Sequence, residues 1–290
     1  MMRNLFLLAC VLSLLCLGCS RQKPRIPGAP ADPKLQTLQR EVKQLPFKAG
    51  EKLTYELRFT KLPISVNAGT IVFEYAGTTS QPVIDQLEFK AQPTDQVAHL
   101  RAVITAKSLL LRLFGLSVND RFETLVDAKD FRMRAVLREI QEGKKHNLQT
   151  GYFDYEKNEA LYRTQDLSKP DARAQEKIVK LEPEMQDLLS AFYLLRLQEL
   201  KENTMYKFPL VYEGERKEFD VIVHGREEVD TPLGKFKAIK LEPKLFGPGR
   251  LSTREGEFFM WVTDDAQRTP VKLTTKASGA TITASISKKE

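Results

Sequence analysis

Histidine, tryptophan and cysteine are scarce in this chain of 290 residues, which has three His, one Trp and three Cys. Cys10, Cys16 and Cys19 all fall near the start, so the body that follows has no disulfide and must be held by its own core. His99, His146 and His224 stand apart, and no pair has the spacing of a metal site. No cofactor is expected. Long apolar runs are also missing: the mostly apolar stretch Leu5 to Leu17 has 13 residues, whereas a membrane-spanning helix needs roughly 20. Charge of one sign does not dominate either. There are 45 Lys+Arg against 38 Asp+Glu, a formal +7, spread along the chain. Nucleic-acid binding wants a clustered basic face or a recognisable module, so no nucleic-acid partner is expected.

What is present begins with Leu17-Gly18-Cys19-Ser20, closing the apolar stretch behind Arg3. It resembles a bacterial lipobox, with Cys16 standing where Leu is usual. The resemblance implies that residues 1–18 are a signal peptide and that Cys19 becomes a lipidated N-terminus. A conventionally cleaved signal and an uncleaved short anchor are the alternatives, and all three put the body outside the cytoplasm. By resemblance to the lipoprotein sorting rule of enteric bacteria, Ser20 in place of Asp implies the outer membrane over the inner, with the body facing the periplasm. Each buried CH₂ of a lipid anchor contributes about 0.8 kcal/mol, so two or three chains make the attachment lasting. Residues 20–34 carry four prolines among basic and small residues and read as an extended tether. Leu35, Leu38, Val42 and Leu45 follow at helical spacing and predict a short helix, which completes a segment 19–46 ahead of the body.

From Glu51 the period changes to two. Leu53, Tyr55, Leu57 and Phe59 alternate with Thr54, Glu56 and Arg58, the pattern of a strand with one buried face. Ile71, Phe73 and Tyr75 repeat it, and further strands are predicted at 86–91, 97–106, 118–126, 131–141, 146–155 and 159–164. Residues 166–183 are polar and hold Pro170 and Pro183, which predicts a long loop or a joint. A helix is predicted at about 184–201, beginning behind Pro183, with Met185, Leu188, Leu189, Phe192 and Leu195 on one apolar stripe. Strands resume at 205–213, 216–224, 235–243, 256–263, 270–277 and 280–287. The short links favour antiparallel meanders. The expected fold is therefore mainly β: one body over 47–287, built as a strongly curved antiparallel sheet or barrel, or as two sheet-rich halves, with one packed amphipathic helix.

A family resemblance rests on the succession of motifs. Asp187-Leu188-Leu189-Ser190-Ala191-Phe192-Tyr193-Leu194-Leu195-Arg196 comes first, followed by Thr231-Pro232-Leu233-Gly234-Lys235-Phe236. Trp261-Val262-Thr263-Asp264-Asp265 follows, with Arg268 and Pro270-Val271. Gly50-Glu51-Lys52-Leu53-Thr54-Tyr55 and Ala68-Gly69-Thr70 add to these. Together they resemble the bacterial envelope family called domain of unknown function 3108, over roughly 47–287. That resemblance implies an exported, mostly antiparallel β protein with one helix against the sheet, and it brings no reaction.

The residues offer little catalytic chemistry. Ser190 lacks a G-x-S-x-G elbow and sits in the predicted helix. Asp264-Asp265 reads as a turn, with Arg268 as a charge partner. Arg196 suits the helix C-terminus, and the family resemblance suggests a structural ion pair for it. Arg132, Arg134 and Arg138 share strand parity and are a candidate basic face for acidic lipid or polymer. Leu245 and Phe246, in the loop 244–255, look exposed and are candidate partner contacts. The sheet interior is either filled or holds an apolar cavity that the helix plugs or lids. The first functional reading is a membrane-tethered, non-enzymatic binding or assembly module in the envelope. The alternatives are a carrier of a lipid or other hydrophobic ligand, with a hydrolase built from dispersed residues as the third.

Overall fold

The computed structural model describes residues 33–39, 41–42, 44–87, 96–106, 117–169 and 171–290. Residues 1–18, Cys19 and the start of the tether lie outside the described residues. The strands are β1 (Lys34–Gln36), β2 (Glu51–Lys61), β3 (Ile64–Thr79), β4 (Val97–Ala106), β5 (Val118–Asp127), β6 (Met133–Glu142), β7 (Lys145–Asp154), β8 (Glu159–Asp166) and β9 (Gln175–Lys180). The helix α1 (Leu188–Leu195) follows, then β10 (Thr204–Tyr212), β11 (Glu215–Thr231), β12 (Gly234–Pro243), β13 (Glu257–Thr263), β14 (Pro270–Ala277) and β15 (Ala280–Lys289).

All fifteen strands belong to one sheet in the order β1-β10-β11-β12-β13-β14-β15-β2-β3-β4-β5-β6-β7-β8-β9. Each half, β2–β9 and β10–β15, is an antiparallel meander, and β15 joins them by pairing with β2. The sheet curls without closing, because β9 and the β1/β10 edge do not pair. The chain leaving β9 bridges this seam: Gln186 N–H donates to Pro209 O at 3.0 Å and Val211 N–H to Gln186 O at 2.8 Å. Arg138 adds hydrogen bonds across it to Glu213 at 3.0 Å and to the Tyr212 hydroxyl at 3.1 Å. The register gives the barrel two ends. The β2–β3, β6–β7, β10–β11 and β14–β15 tips and the loop 244–256 form a rim, while the β5–β6, β7–β8, β11–β12 and β13–β14 turns form a floor.

Strand alternation follows the sequence closely. In β2 the buried Leu53, Tyr55 and Leu57 face inward, and in β4 every second residue is buried. At the β10–β11 tip, Glu213 and Gly214 both have positive φ, at 53° and 67°, as a two-residue hairpin turn requires. A smaller outer core of Ile84, Leu87, Val97, Leu125, Ala135 and Leu137 lies on the other face of β4–β6.

Three expectations are corrected. The helix predicted over 35–45 is replaced at its start by β1, which pairs in parallel with β10 from Lys34↔Thr204 to Gln36↔Tyr206; an unpaired strand edge is a stronger template than a marginal isolated helix. Of the strand predicted at 86–91, residues 88–91 lie outside the described residues, and Leu87 forms a bridge with Ile84. The polar stretch 166–183 contains β9, an edge strand in which only Val179 is buried, so the sheet continues through the predicted joint. The helix is only eight residues long and starts after Asp187, which caps it.

Candidate functional site: an apolar cavity around the central helix

The helix is buried from Leu189 to Leu195, so it is apolar all round rather than along one stripe, as a helix enclosed by other elements must be. Its start is fixed by a capping box. Asp187 Oδ1 accepts from Ser190 N–H at 2.6 Å, and Ser190 Oγ accepts from Asp187 N–H at 3.0 Å. The Thr124 hydroxyl on β5 donates to the other Asp187 oxygen at 2.6 Å, tying the cap to the sheet. Burial pushes the Asp187 carboxyl up despite these hydrogen bonds. Ser190 is thereby occupied in capping.

The other end of the helix is held at the floor. Arg196, fully buried, donates to both carboxylate oxygens of Glu51 at 2.6 and 3.1 Å and through Nε to Gln267 O at 3.2 Å. Its guanidinium lies 4.6 Å from the Phe47 ring centroid and 5.6 Å from that of Tyr193. The structural ion pair that the family resemblance suggested is therefore present, with Glu51 as its partner.

Between the helix and the rim the interior is not completely filled. A cavity of about 70 Å³ is lined by fifteen apolar residues, among them Phe73, Ile104, Phe122, Leu188, Ala191 and Phe258. Phe192 stacks on Phe73 at 4.2 Å beneath it. Pro243, Leu245 and Phe258 also line a groove of about 810 Å³ at the rim, so these three side chains separate the interior from the outside. The groove is polar where the cavity is not, with Lys244, Arg250, Arg254 and Lys276 opposite Asp220, Glu242, Glu255 and Glu257.

A charged side chain shares the cavity's face. Asp120 on β5 is fully buried; Oδ1 accepts from Gln141 N–H at 2.9 Å, and Oδ2 has no hydrogen-bond partner among the described residues. Burial first, and then the neighbouring Glu142, push its carboxyl up to about 7.

The residues singled out from sequence are placed as follows. Cys19 lies outside the described residues. Leu245 is buried, only 3% exposed, and Phe246 is half-buried over Gly256; the expectation that they form an exposed partner contact is corrected. The loop turns back on the sheet, where Lys244 N–H donates to Asp220 O and Ser252 N–H to Leu245 O. Arg132, Arg134 and Arg138 pair with Asp130, Asp127 and Glu213. Arg132 also lies over the Tyr155 ring and Arg138 over that of Tyr212, so their charge is largely compensated within the fold. Each histidine is bonded to a glutamate: His99 to Glu123 at 2.6 Å, His146 to Glu139 at 2.8 Å and His224 to Glu242 at 3.0 Å. Burial tends to raise Glu242, but hydrogen bonds from His224 and Lys244 hold it below the ordinary range. Among the described residues no three His, Cys, Asp or Glu side chains form a metal cage. Asp265 accepts from the Gln267 and Arg268 N–H groups in a turn, while Asp264 pairs with Arg226. Asp120 was missed by the motif reading, although its parity with Val118, Phe122, Thr124 and Val126 marks a carboxylate among uncharged, mostly apolar neighbours on one face of β5.

The family profile for proteins of unknown function named DUF3108 matches residues 54–287. The chain belongs to this family. The DUF3108 body is similar in structure to a β-barrel-like protein of domain family DUF1849 from Brucella abortus, with a TM-score of 0.51 and 10% identity over 83% of this chain and 97% of that one. At that identity the likeness establishes the barrel-like fold alone. Lower similarity links it to two further structures. One is a candidate exported protein with a YmcC-like fold from Bacteroides fragilis, with a TM-score of 0.35 and 10% identity over 85% and 98% of the two chains. The other is a candidate lipoprotein from Parabacteroides distasonis, with a TM-score of 0.33 and 9% identity over 85% and 97%. No curated protein matches the chain.

Proposed function

We propose that this DUF3108 protein is a non-enzymatic binding module of the bacterial envelope, which holds the apolar part of a lipid or similar amphiphile inside its sheet. In this reading it is anchored through lipid on Cys19, on the outer membrane and facing the periplasm. The observation that carries the binding reading is the wholly apolar cavity beside α1, separated from the polar rim groove by Pro243, Leu245 and Phe258. Ligand sites combine such apolar linings with a few polar groups near the mouth. At about 70 Å³ the space is smaller than the ~150 Å³ of an engineered cavity that takes up benzene. Occupancy by an alkyl chain therefore requires the half-buried Phe122, Leu188 and Phe258 to swing aside.

Leu62 and Ile64, 90% and 56% exposed at the β2–β3 tip, are too few to make a protein-docking patch by themselves. The test is extraction of the full-length protein in mild detergent, native mass spectrometry for retained lipid, and uptake of a fluorescent acyl probe by the stripped protein. Ala191→Leu, which fills the cavity, is expected to reduce uptake at least tenfold while the circular dichroism is kept. Absence of both retained lipid and probe uptake in the unsubstituted protein would overturn the reading.

A further inference from the structure

We infer that Asp120 forms a polar end to the interior cavity, so that the site selects amphiphiles carrying a hydrogen-bond donor, a hydroxyl or an amine, over fatty carboxylates. This inference rests on the cavity being a ligand site.

The geometry comes from register. β4 and β5 pair without a break from Val97↔Asp127 to Ala106↔Val118, and Ile104 lies opposite Asp120. Directly opposed residues on paired strands project to the same face, as do residues two apart on one strand. Ile104 and Phe122 both line the cavity, so the Asp120 side chain projects to the cavity's face, one step nearer the rim.

Asp120 is fully buried, and its Oδ2 has no hydrogen-bond partner among the described residues. A buried oxygen without a partner costs free energy, and native proteins keep few of them. The groups around it leave the oxygen available. Arg138 on β6 is engaged by Glu213 and Tyr212, and Ile104 on β4 is apolar. Glu142 on β6 repels negative charge here, while Lys145 on β7 and Arg138 act on Asp120 through space. A ligand hydroxyl or ammonium reaching Oδ2 completes its hydrogen bonding, whereas a ligand carboxylate meets Asp120 and Glu142 as like charges. The carboxyl titrates near neutrality, so the preference strengthens as pH rises above that range.

The test is calorimetric titration of the stripped full-length protein with octan-1-ol, octylammonium and octanoate, at pH 8 and pH 5.5, compared with Asp120→Asn. Asn keeps the shape and still accepts from Gln141 N–H. At pH 8 the alcohol and amine are expected to bind at least tenfold tighter than octanoate, and Asp120→Asn is expected to bring the three within about twofold. At pH 5.5 the amine should lose its advantage in the unsubstituted protein. Octanoate binding as well as octanol, or a preference that survives Asp120→Asn, would overturn the inference while leaving the cavity reading intact. If none of the three compounds binds, the cavity reading falls and this one with it.

Discussion

Replacing Arg196 with Met is expected to destabilise the protein by about 4 kcal/mol, because removing one partner of a buried ion pair leaves the other charge uncompensated. The partner is Glu51, itself buried and bonded to both terminal nitrogens of Arg196. Two smaller losses come with it: the hydrogen bond to Gln267 O and the stacking over Phe47 and Tyr193, the latter of order 1 kcal/mol. A domain with about 5–15 kcal/mol of stability is thereby brought near its threshold. Urea unfolding followed by the fluorescence of Trp261, the only tryptophan and a buried one, gives the measurement. The control is Arg196→Met combined with Glu51→Leu. Replacing both charges with apolar side chains removes the orphaned carboxylate, so the double variant should return to within about 2 kcal/mol of the original. A loss below about 1 kcal/mol in the single variant, or a double variant no more stable than the single, would refute the account of Arg196 as the anchor that holds the helix to the floor.

Gly69→Ala should destabilise by about 3 kcal/mol or more, since Gly69 has φ +151° and a Cβ there would lie 2.0 Å from Thr105 O; denaturant unfolding checks it, and a near-neutral result would disprove that close approach. Asp120→Asn should stabilise at neutral pH. The folded carboxyl titrates at about 7 against 3.8 for the ordinary group, so the native state favours the protonated form and loses stability as pH rises from about 4 through about 7. At about 1.4 kcal/mol per unit, the difference between variant and parent should grow to at most about 4 kcal/mol by pH 8 and vanish near pH 4; a difference that is flat with pH would count against the raised value. Cys19→Ala should move the protein from the membrane pellet to the soluble fraction after cell lysis, and continued tight attachment would exclude the lipid anchor.

The parts of the fold that were legible in the sequence are those in which one face of an element is buried and the other is not. Leu53, Tyr55 and Leu57 announce β2 because the intervening residues meet water. β9 carries no such contrast, since five of its six residues are exposed at a sheet edge, and its charges resemble those of a loop. The helix failed for the opposite reason. With every residue after Leu188 buried, no polar face marked its limits, and Met185, fully buried before the cap, was drawn into an apparent stripe. The cavity had no local signal at all, because its lining comes from β3, β4, β5, α1 and the strands from β11 to β14. Leu245 looked exposed because a loop rich in glycine and charge surrounds it, and only the return of that loop onto Asp220 reveals its inward direction.

The two ends of the barrel are held by different physics, and this sets the direction from which a ligand enters. At the floor, the interior is closed by directional, desolvated bonds: Arg196 to Glu51 and Gln267, Tyr55 Oη to Pro270 O at 2.6 Å, and Gln198 to Gln39 in both directions. Opening there would leave buried charges and polar groups without partners, each at a cost of about 1–3 kcal/mol or more. Towards the rim, the cavity wall of Phe122, Leu188, Leu245 and Phe258 consists of apolar side chains. Side chains of this kind change rotamer without breaking a hydrogen bond, and apolar surface briefly exposed by their motion is covered again by an alkyl chain of the same character. Entry is therefore expected past Pro243 and Leu245, with Asp120 as a polar group on the rim side of that path.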